Sequence, residues 1–203
     1  MGTKERKERE REELSGLILA AAREIFLEKG YEQTSIRNIA DRIEYSPGTI
    51  YLYYKDKDSI FHALQQEGFS RFGQQMMVLQ AVADPYERLK AMGRVYLKFA
   101  KENPDYYDLM FVIRAPMKVL DDEECWNEGQ NSFNFLVSVV AECKEHGRFA
   151  CCDPEELAYV IWSTLHGMVT LDIRGRCRVV SDEKREDIEE RGFKALLHLL
   201  SHI

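Results

Sequence analysis

The sequence contains no run approaching the roughly eighteen apolar residues that a membrane-crossing helix requires, and its first residues, "MGTKERKERE", are charged where a signal peptide would turn apolar. No membrane partner is expected. Cysteine is sparse: Cys125, Cys143, Cys151, Cys152 and Cys177 are an odd five without paired spacing, in a 203-residue chain large enough to fold without staples. That usage fits a reducing cytoplasm rather than a disulfide framework. Catalytic signatures are missing as well. There is no glycine-rich phosphate loop, no His-Glu-x2-His helix and no Gly-x-Ser-x-Gly elbow, and the five histidines are scattered without a paired carboxylate. An enzyme is not expected, nor a cofactor. The stretch "CKEHGRFACC" gathers Cys143, His146, Cys151 and Cys152, but adjacent cysteines diverge and no Cys-x2-Cys pair accompanies them, so no metal site is expected. Buried or incidental thiols are the better reading, with a redox-sensing loop as the rival.

A basic excess is also lacking, since the net charge is −7. Residues 1–57 hold 11 Lys and Arg against 11 Asp and Glu, leaving 17 against 24 of the totals of 28 and 35 for the remainder. The acidic excess therefore lies wholly beyond residue 57. Any contact with DNA has to come from a few placed groups, not from a basic stripe read by total charge.

Strand-type alternation is never sustained, and apolar residues recur instead at spacings of three and four. The fold class is all-α. Proline numbers only five, and four of these follow a capping-type residue: Ser46-Pro47, Asp84-Pro85, Asn103-Pro104 and Asp153-Pro154. Each pair reads as a helix start, because the first residue accepts from free first-turn amides and proline gives up an amide that had no partner. Glu87 and Glu156 sit where a capping-box side chain would reach back. Leu14, Leu17, Ile18, Ala21, Ile25 and Phe26 mark a first helix ended by Gly30. Further helices are expected over about 34–43, 47–53, 56–80, 85–102, 104–113, 122–146, 154–175 and 182–201. Residues 1–13, a mixed charge run, read as a frayed helical arm.

The segment "TSIRNIADRIEYSPGTIYLYY" puts Ile36, Ile39, Ala40 and Ile43 on one face of a short helix, and Ile50 and Tyr53 on one face of the next. Ala40 is small where two steeply crossing helices touch, and only Glu44-Tyr45-Ser46 separate them. This is a helix-turn-helix layout. Ser46, Pro47 and Gly48 are small enough for the backbone to approach base edges, while Thr49, Tyr51 and Tyr53 offer hydroxyls to phosphate or base. Tyr53, by its phase with Ile50, and Tyr54 also suit a small helical core.

From about Leu17 to Phe61, "TSIRNIADRI" followed by "SPGTIYLYYKDKDSIF" resembles the DNA-binding domain of TetR-family transcriptional regulators. The resemblance implies a three-helix DNA-binding domain over residues 1–57, including the 1–13 arm, and a larger helical ligand-binding and dimerisation domain over 58–203. It implies further that Arg37, Ser46, Pro47 and Gly48 read bases. Thr49, Tyr51, Tyr53 and Lys57 would contact the backbone, Lys57 beside the positive end of the fourth helix. Glu44 departs from the family's usual glycine. A left-handed backbone at a non-glycine costs roughly 1 kcal/mol, so strain or an altered turn is expected there.

Beyond residue 84 the resemblance thins to "NPDYYDLMF", similar to the family's sixth-helix segment, and "WSTLHGMVTL", similar to a Trp-x3-His-Gly signature of one C-terminal subgroup. The helix over 154–175 carries two apolar stripes: Leu157, Ile161, Thr164, Leu165, Met168 and Leu171, and then Tyr159, Trp162, His166, Val169 and Ile173. Two apolar sides mean a partner subunit or a ligand cavity in addition to the core. Phe193, Leu196, Leu197, Leu200 and Ile203 give the last helix a similar surplus. Helices 154–175 and 182–201 are therefore expected to form a homodimer bundle, with Gly167 and Gly192 marking close approach. Cavity candidates are Tyr96, Phe99, Tyr106, Met110, Phe111, Trp126, Phe133, Trp162 and His166, a set suited to a small apolar or aromatic effector. Aromatic residues at this spacing also suit plain core, and His166 a hydrogen-bonded interior position. The expected function is a ligand-responsive regulator, a repressor, that binds a palindromic double-stranded DNA operator as a homodimer. The alternative is a ligand-binding or interaction module with weak or lost specific DNA binding.

Overall fold

The computed structural model describes residues 3–114, 117 and 126–203, in which helices are joined by short turns and no strand forms. In chain order the helices are α1 (Thr3–Gln33), α2 (Ile36–Arg42), α3 (Pro47–Tyr51), α4 (Lys57–Met77), α5 (Pro85–Glu102), α6 (Pro104–Phe111), α7 (Asn127–Glu145), α8 (Pro154–Ile173), α9 (Asp182–Arg185) and α10 (Ile188–Leu200). Tighter 3-10 turns follow α4 at Val78–Ala81 and α8 at Arg176–Val179. None of the described helices is long and apolar enough to cross a membrane. Two compact units divide the chain, one within Met1–Gly68 and Asp105–Trp126, the other within Phe69–Pro104 and Asn127–Ile203.

The first unit closes around Ile18, Ala22, Ile25, Ile39, Ala40, Ile50, Ile60, Phe61, Leu64 and Leu109, drawn from α1, α2, α3, α4 and α6. At about 1.5–3 kcal/mol per buried large side chain, this packing outweighs the weak helix preference of its short members. A helix as short as α3 has no stability by itself. It is held by Ile50, which is fully buried, and started by Ser46, whose hydroxyl accepts from the Thr49 amide at 3.1 Å, with Pro47 at the first helical position. Ser35 and Asn38 cap α2 reciprocally, a capping box with Asn in place of the usual Glu or Gln at the third position. Asp56 and Ser59 do the same for the start of α4.

Glu44 adopts φ +58, the left-handed backbone expected of a residue standing in for glycine. Glu44→Gly is accordingly expected to stabilise the protein by about 0.5–1 kcal/mol, the relief of Cβ strain exceeding the extra entropy of the unfolded chain. Urea unfolding checks this, and a loss of stability would mean that the turn is not strained.

Several helix limits differ from the sequence reading. Helical structure continues from Thr3 through the expected frayed arm, where Arg6–Glu10 (2.9 Å) and Arg9–Glu13 (3.5 Å) pair one turn apart. Gly30 leaves helical geometry at φ 78 and ψ 173, where the sequence places the end of the first helix, and a short further turn carries α1 across this kink to Gln33. Helix α3 stops at Tyr51, two residues short of the 47–53 expected. The helix expected over 122–146 is seen from Asn127 to Glu145, its first positions lying outside the described residues, as does Cys125.

In the second unit α5 buries Tyr86, Leu89, Met92, Tyr96, Leu97 and Phe99, and it packs against α7 and α8. Asp84 and Asp153 cap α5 and α8 as expected. Asn103 instead turns back, its amide donating to the Phe99 carbonyl at the end of α5. The Glu87 side chain pairs forward with Lys90. The expected single helix over 182–201 is two: Asp187 leaves helical geometry at φ −115 and ψ 17, takes Arg191 onto its carboxylate at 2.7 Å, and Arg185 folds back to the Val180 carbonyl. The close backbone approach falls mainly on Gly93, where an added Cβ would lie 2.6 Å from the buried Phe193 ring of α10. Gly192 has Met168 at 3.3 Å, whereas Gly167 faces open space within the chain.

Candidate nucleic-acid interface and interior aromatic cluster

The buried side of α3 is spent on Ile50, so its remaining residues face outward. Ser46, Pro47 and Gly48 are exposed, Thr49 is half-buried with its hydroxyl 3.0 Å from that of Ser46, and Tyr51 is 55% exposed. Arg37 is exposed in the first turn of α2. Tyr45 and Lys55, which the sequence reading did not single out, are exposed directly before and after this segment. Their signal was only adjacency. Gly48 carries an informative negative: an added Cβ would meet nothing nearer than the Ser46 hydroxyl at 3.5 Å, an ordinary contact, and its φ is not in the left-handed range. Nothing within the described chain requires glycine at this position.

Two of the proposed contact residues are engaged within the protein. Tyr53 is half-buried on the core with the Arg11 guanidinium 6.0 Å from its ring, and its neighbour Tyr54 bonds Ser15 at 2.8 Å. Lys57 donates to the Tyr31 carbonyl at 2.9 Å and lies 3.9 Å from that ring's centre. The same tyrosine's hydroxyl donates to Asp58, and burial followed by this bond raises its pKa. Lys57 thus braces α4 against the end of α1 as well as standing beside the segment after α3.

The nine aromatic and apolar candidates divide between the units. Tyr106, Met110, Phe111 and Trp126 belong to the first, where Tyr106 and Met110 are buried against the backbone of Gly68 and Phe111 stacks at a tilt on Tyr107. Tyr96, Phe99, Phe133, Trp162 and His166 belong to the second and form a connected cluster. Ring centres of Phe133 and Trp162 lie 6.0 Å apart and those of Trp162 and His166 6.2 Å, while His166 Nδ1 stands 3.5 Å from the Tyr96 hydroxyl. Phe72, absent from the sequence candidates, completes it at 5.9 Å from Tyr96 and 5.1 Å from Phe99. It comes from the second half of α4, whose first half supplies Ile60, Phe61 and Leu64 to the other core.

Burial lowers the His166 pKa below the usual 6.5, so the imidazole is neutral at pH 7. Because the unfolded chain takes up this proton first, stability is expected to be full above pH 6.5 and to fall as the pH drops from there through the folded-state value. His166→Gln should flatten that part of the stability profile. An NMR titration of the imidazole placing its midpoint at or above 6.5 would contradict the assignment.

The cysteine-rich stretch does not converge on one point. Cys143 is fully buried, and burial pushes its thiol up to about 11, which leaves it unreactive at neutral pH. The His146 ring bonds its own helix at the Glu142 carbonyl, and Cys151 and Cys152 keep their sulfurs 3.7 Å apart.

Comparison with known proteins agrees with this architecture. Residues 18–64 match the pattern of the family described as bacterial regulatory proteins, tetR family, and residues 89–196 match that of the tetracyclin repressor-like C-terminal domain. The chain is 26% identical over 173 residues to YvkB of Bacillus subtilis, named an uncharacterized HTH-type transcriptional regulator, covering 85% of this chain and 89% of that protein. It is 28% identical over 102 residues to the transcriptional activator FasR of Mycolicibacterium smegmatis, covering 50% of this chain but only 47% of FasR. In solved structures the fold recurs in the fatty acid degradation regulator FadR of Bacillus halodurans, with TM-score 0.72, 24% identity and 90% and 94% of the two chains covered. It recurs also in AibR, solved with isovaleryl coenzyme A and operator DNA, with TM-score 0.68, 20% identity and 92% and 97% covered.

Proposed function

The chain belongs to the TetR family of bacterial regulatory proteins, is a transcriptional regulator and not an enzyme, and on that premise we propose that it represses by binding a palindromic operator as a homodimer and lets go when a small molecule occupies its C-terminal half. Residues 1–57 read the DNA in this account, and residues 58–203 bind the effector and form the dimer. Its setting is the cytoplasm. The observation that carries the reading is the outward face of α3, where Ser46, Pro47, Gly48 and Tyr51 are exposed while Ile50 alone anchors the helix. A short helix so presented fits the major groove N-terminus first.

The dimer contact assigned to α8 and α10 is supported by apolar surface left over after the core is filled. Tyr159, Val160 and Leu171 are exposed on α8 beside the open Gly167, and Leu199 is exposed on α10. The effector is assigned to the cluster of Tyr96, Phe99, Phe133, Trp162 and His166, with Tyr106, Met110, Phe111 and Trp126 as further candidates. Its apolar and aromatic character suits an acyl chain, and the names of FadR and of the AibR complex favour an acyl thioester within that class. Phe72 suggests the route of response: an occupant displacing Tyr96 or Phe99 presses on the second half of α4, whose first half underlies the DNA-reading helices. Half-site spacing tolerates little change, so the ligand weakens DNA binding by its differential affinity for the two states.

Selection of genomic fragments by the purified protein, followed by a chain-length series of acyl thioesters against the best fragment, tests this reading. Recovered fragments should share an inverted repeat, and one chain length should release them at micromolar concentration. Fragments enriched without a shared repeat would overturn it.

A further inference from the structure

The balanced charge of the arm preceding the helix-turn-helix conceals a sided arrangement. Residues 4–13 contribute five cations and five acids, all exposed and all on the continuous helix α1. At about 100° per residue, Lys4, Lys7 and Arg11 fall within a sector of about 60°. It is the sector that, further along, holds the buried Ile18, Ala22 and Ile25. The basic stripe therefore continues the core-facing side of α1 past the point where the core ends. The acids lie outside this sector. Of the other two cations, Arg6 pairs with Glu10 and Arg9 with Glu13, whereas no ion pair holds Lys4, Lys7 or Arg11 among the described residues. Arg11 instead reaches over Tyr53, two residues beyond the end of α3. Lys7 and Lys4 follow at about 6 and 10 Å further along the axis.

We infer that this stripe is a phosphate-binding surface, a clamp that lays Lys4, Lys7 and Arg11 along the DNA backbone beside the half-site read by α3. The inference rests on the proposed DNA-binding function. Unpaired ammonium and guanidinium groups attract phosphate without reading sequence, and each phosphate neutralised adds about 0.9 to the slope of log affinity against log salt. The acids stay outside the stripe, Glu8 and Glu10 bordering it and the other three on the far side, so no acid stands between its cations. An arm of zero net charge can therefore bind a polyanion on one face.

The test compares three full-length variants with the parent protein on the selected operator, by anisotropy at several salt concentrations. Lys4→Gln/Lys7→Gln and the triple variant with Arg11→Gln should lower the salt slope by about 2 or more and weaken specific and non-specific DNA alike. Arg6→Gln/Arg9→Gln removes as much charge as the double variant from the paired side and should leave the slope within about 0.5 of the parent. Circular dichroism confirms that helix content is kept, and the double variant spares the Arg11–Tyr53 contact. A parental slope in the stripe variants, or an equal fall in both sets, would overturn the clamp while leaving operator reading intact. A parent protein that selects no DNA would remove the reading on which the clamp rests.

Discussion

Gly48→Glu is expected to abolish operator binding, by a hundredfold or more, while leaving the fold as stable as before or slightly more so. The two halves of this expectation have separate physical origins. Within the chain Gly48 has room for a side chain and an ordinary backbone angle, and a non-glycine residue favours the helix by up to about 1 kcal/mol. At the DNA surface the same side chain holds a carboxylate against phosphates and base edges, where like charges cost several kcal/mol per contact. The proposed homodimer would present the change twice. Urea unfolding and operator titration of one preparation measure both halves. Unaltered operator affinity would mean that the outward face of α3 is not the reading surface, and a large loss of stability would mean that the glycine serves the fold.

Arg23→Met is expected to destabilise the protein by about 2–3 kcal/mol, the largest single effect on folding. Asp105 on α6 is almost wholly buried, and its carboxylate is met by the Arg23 guanidinium of α1, which also lies 4.6 Å from the Tyr106 ring centre. Removing one partner of a buried pair strands the other charge at a cost of about 3–5 kcal/mol. A value at or below the lower end of that range applies here because Arg23 is 35% exposed and water reaches its side of the pair. Asp105→Asn leaves the Arg23 charge behind instead, but on a side chain that is 35% exposed and stays hydrated, so it should cost less than half as much. A loss below about 0.5 kcal/mol in Arg23→Met, by the denaturant midpoint at constant slope, would contradict the assignment of this pair as the fastener of α6 to α1.

That fastener was not legible in the sequence, and the reason is general. The helix-turn-helix is built from contacts close along the chain, so apolar spacing at Ile36, Ile39, Ala40 and Ile50 and the cap at Ser46 announce it directly. The left-handed turn at Glu44 was legible through the family resemblance, whose pattern has glycine there. Arg23 and Asp105 stand 82 positions apart, and no local period links them. Phe72 escaped for a similar cause: nothing local along its helix marks it, yet packing turns the second half of α4 into a wall of the aromatic cluster. Cap residues misled where the same chemistry serves either end of a helix, as Asn103 does by bonding back to Phe99. The break between α9 and α10 was hidden because Glu186 and Asp187 are acceptable helix residues, and only the side-chain bonds of Arg185 and Arg191 show the alternative.

An anisotropy titration of the selected operator against a scrambled duplex of equal length, at two salt concentrations and to saturation, tests the central claim most directly. The account predicts two chains per inverted repeat, nanomolar affinity for the operator, at least a hundredfold preference over the scrambled duplex and a steep salt dependence for both. Equal affinity for the two duplexes would contradict it, leaving a helical protein that holds DNA by charge alone.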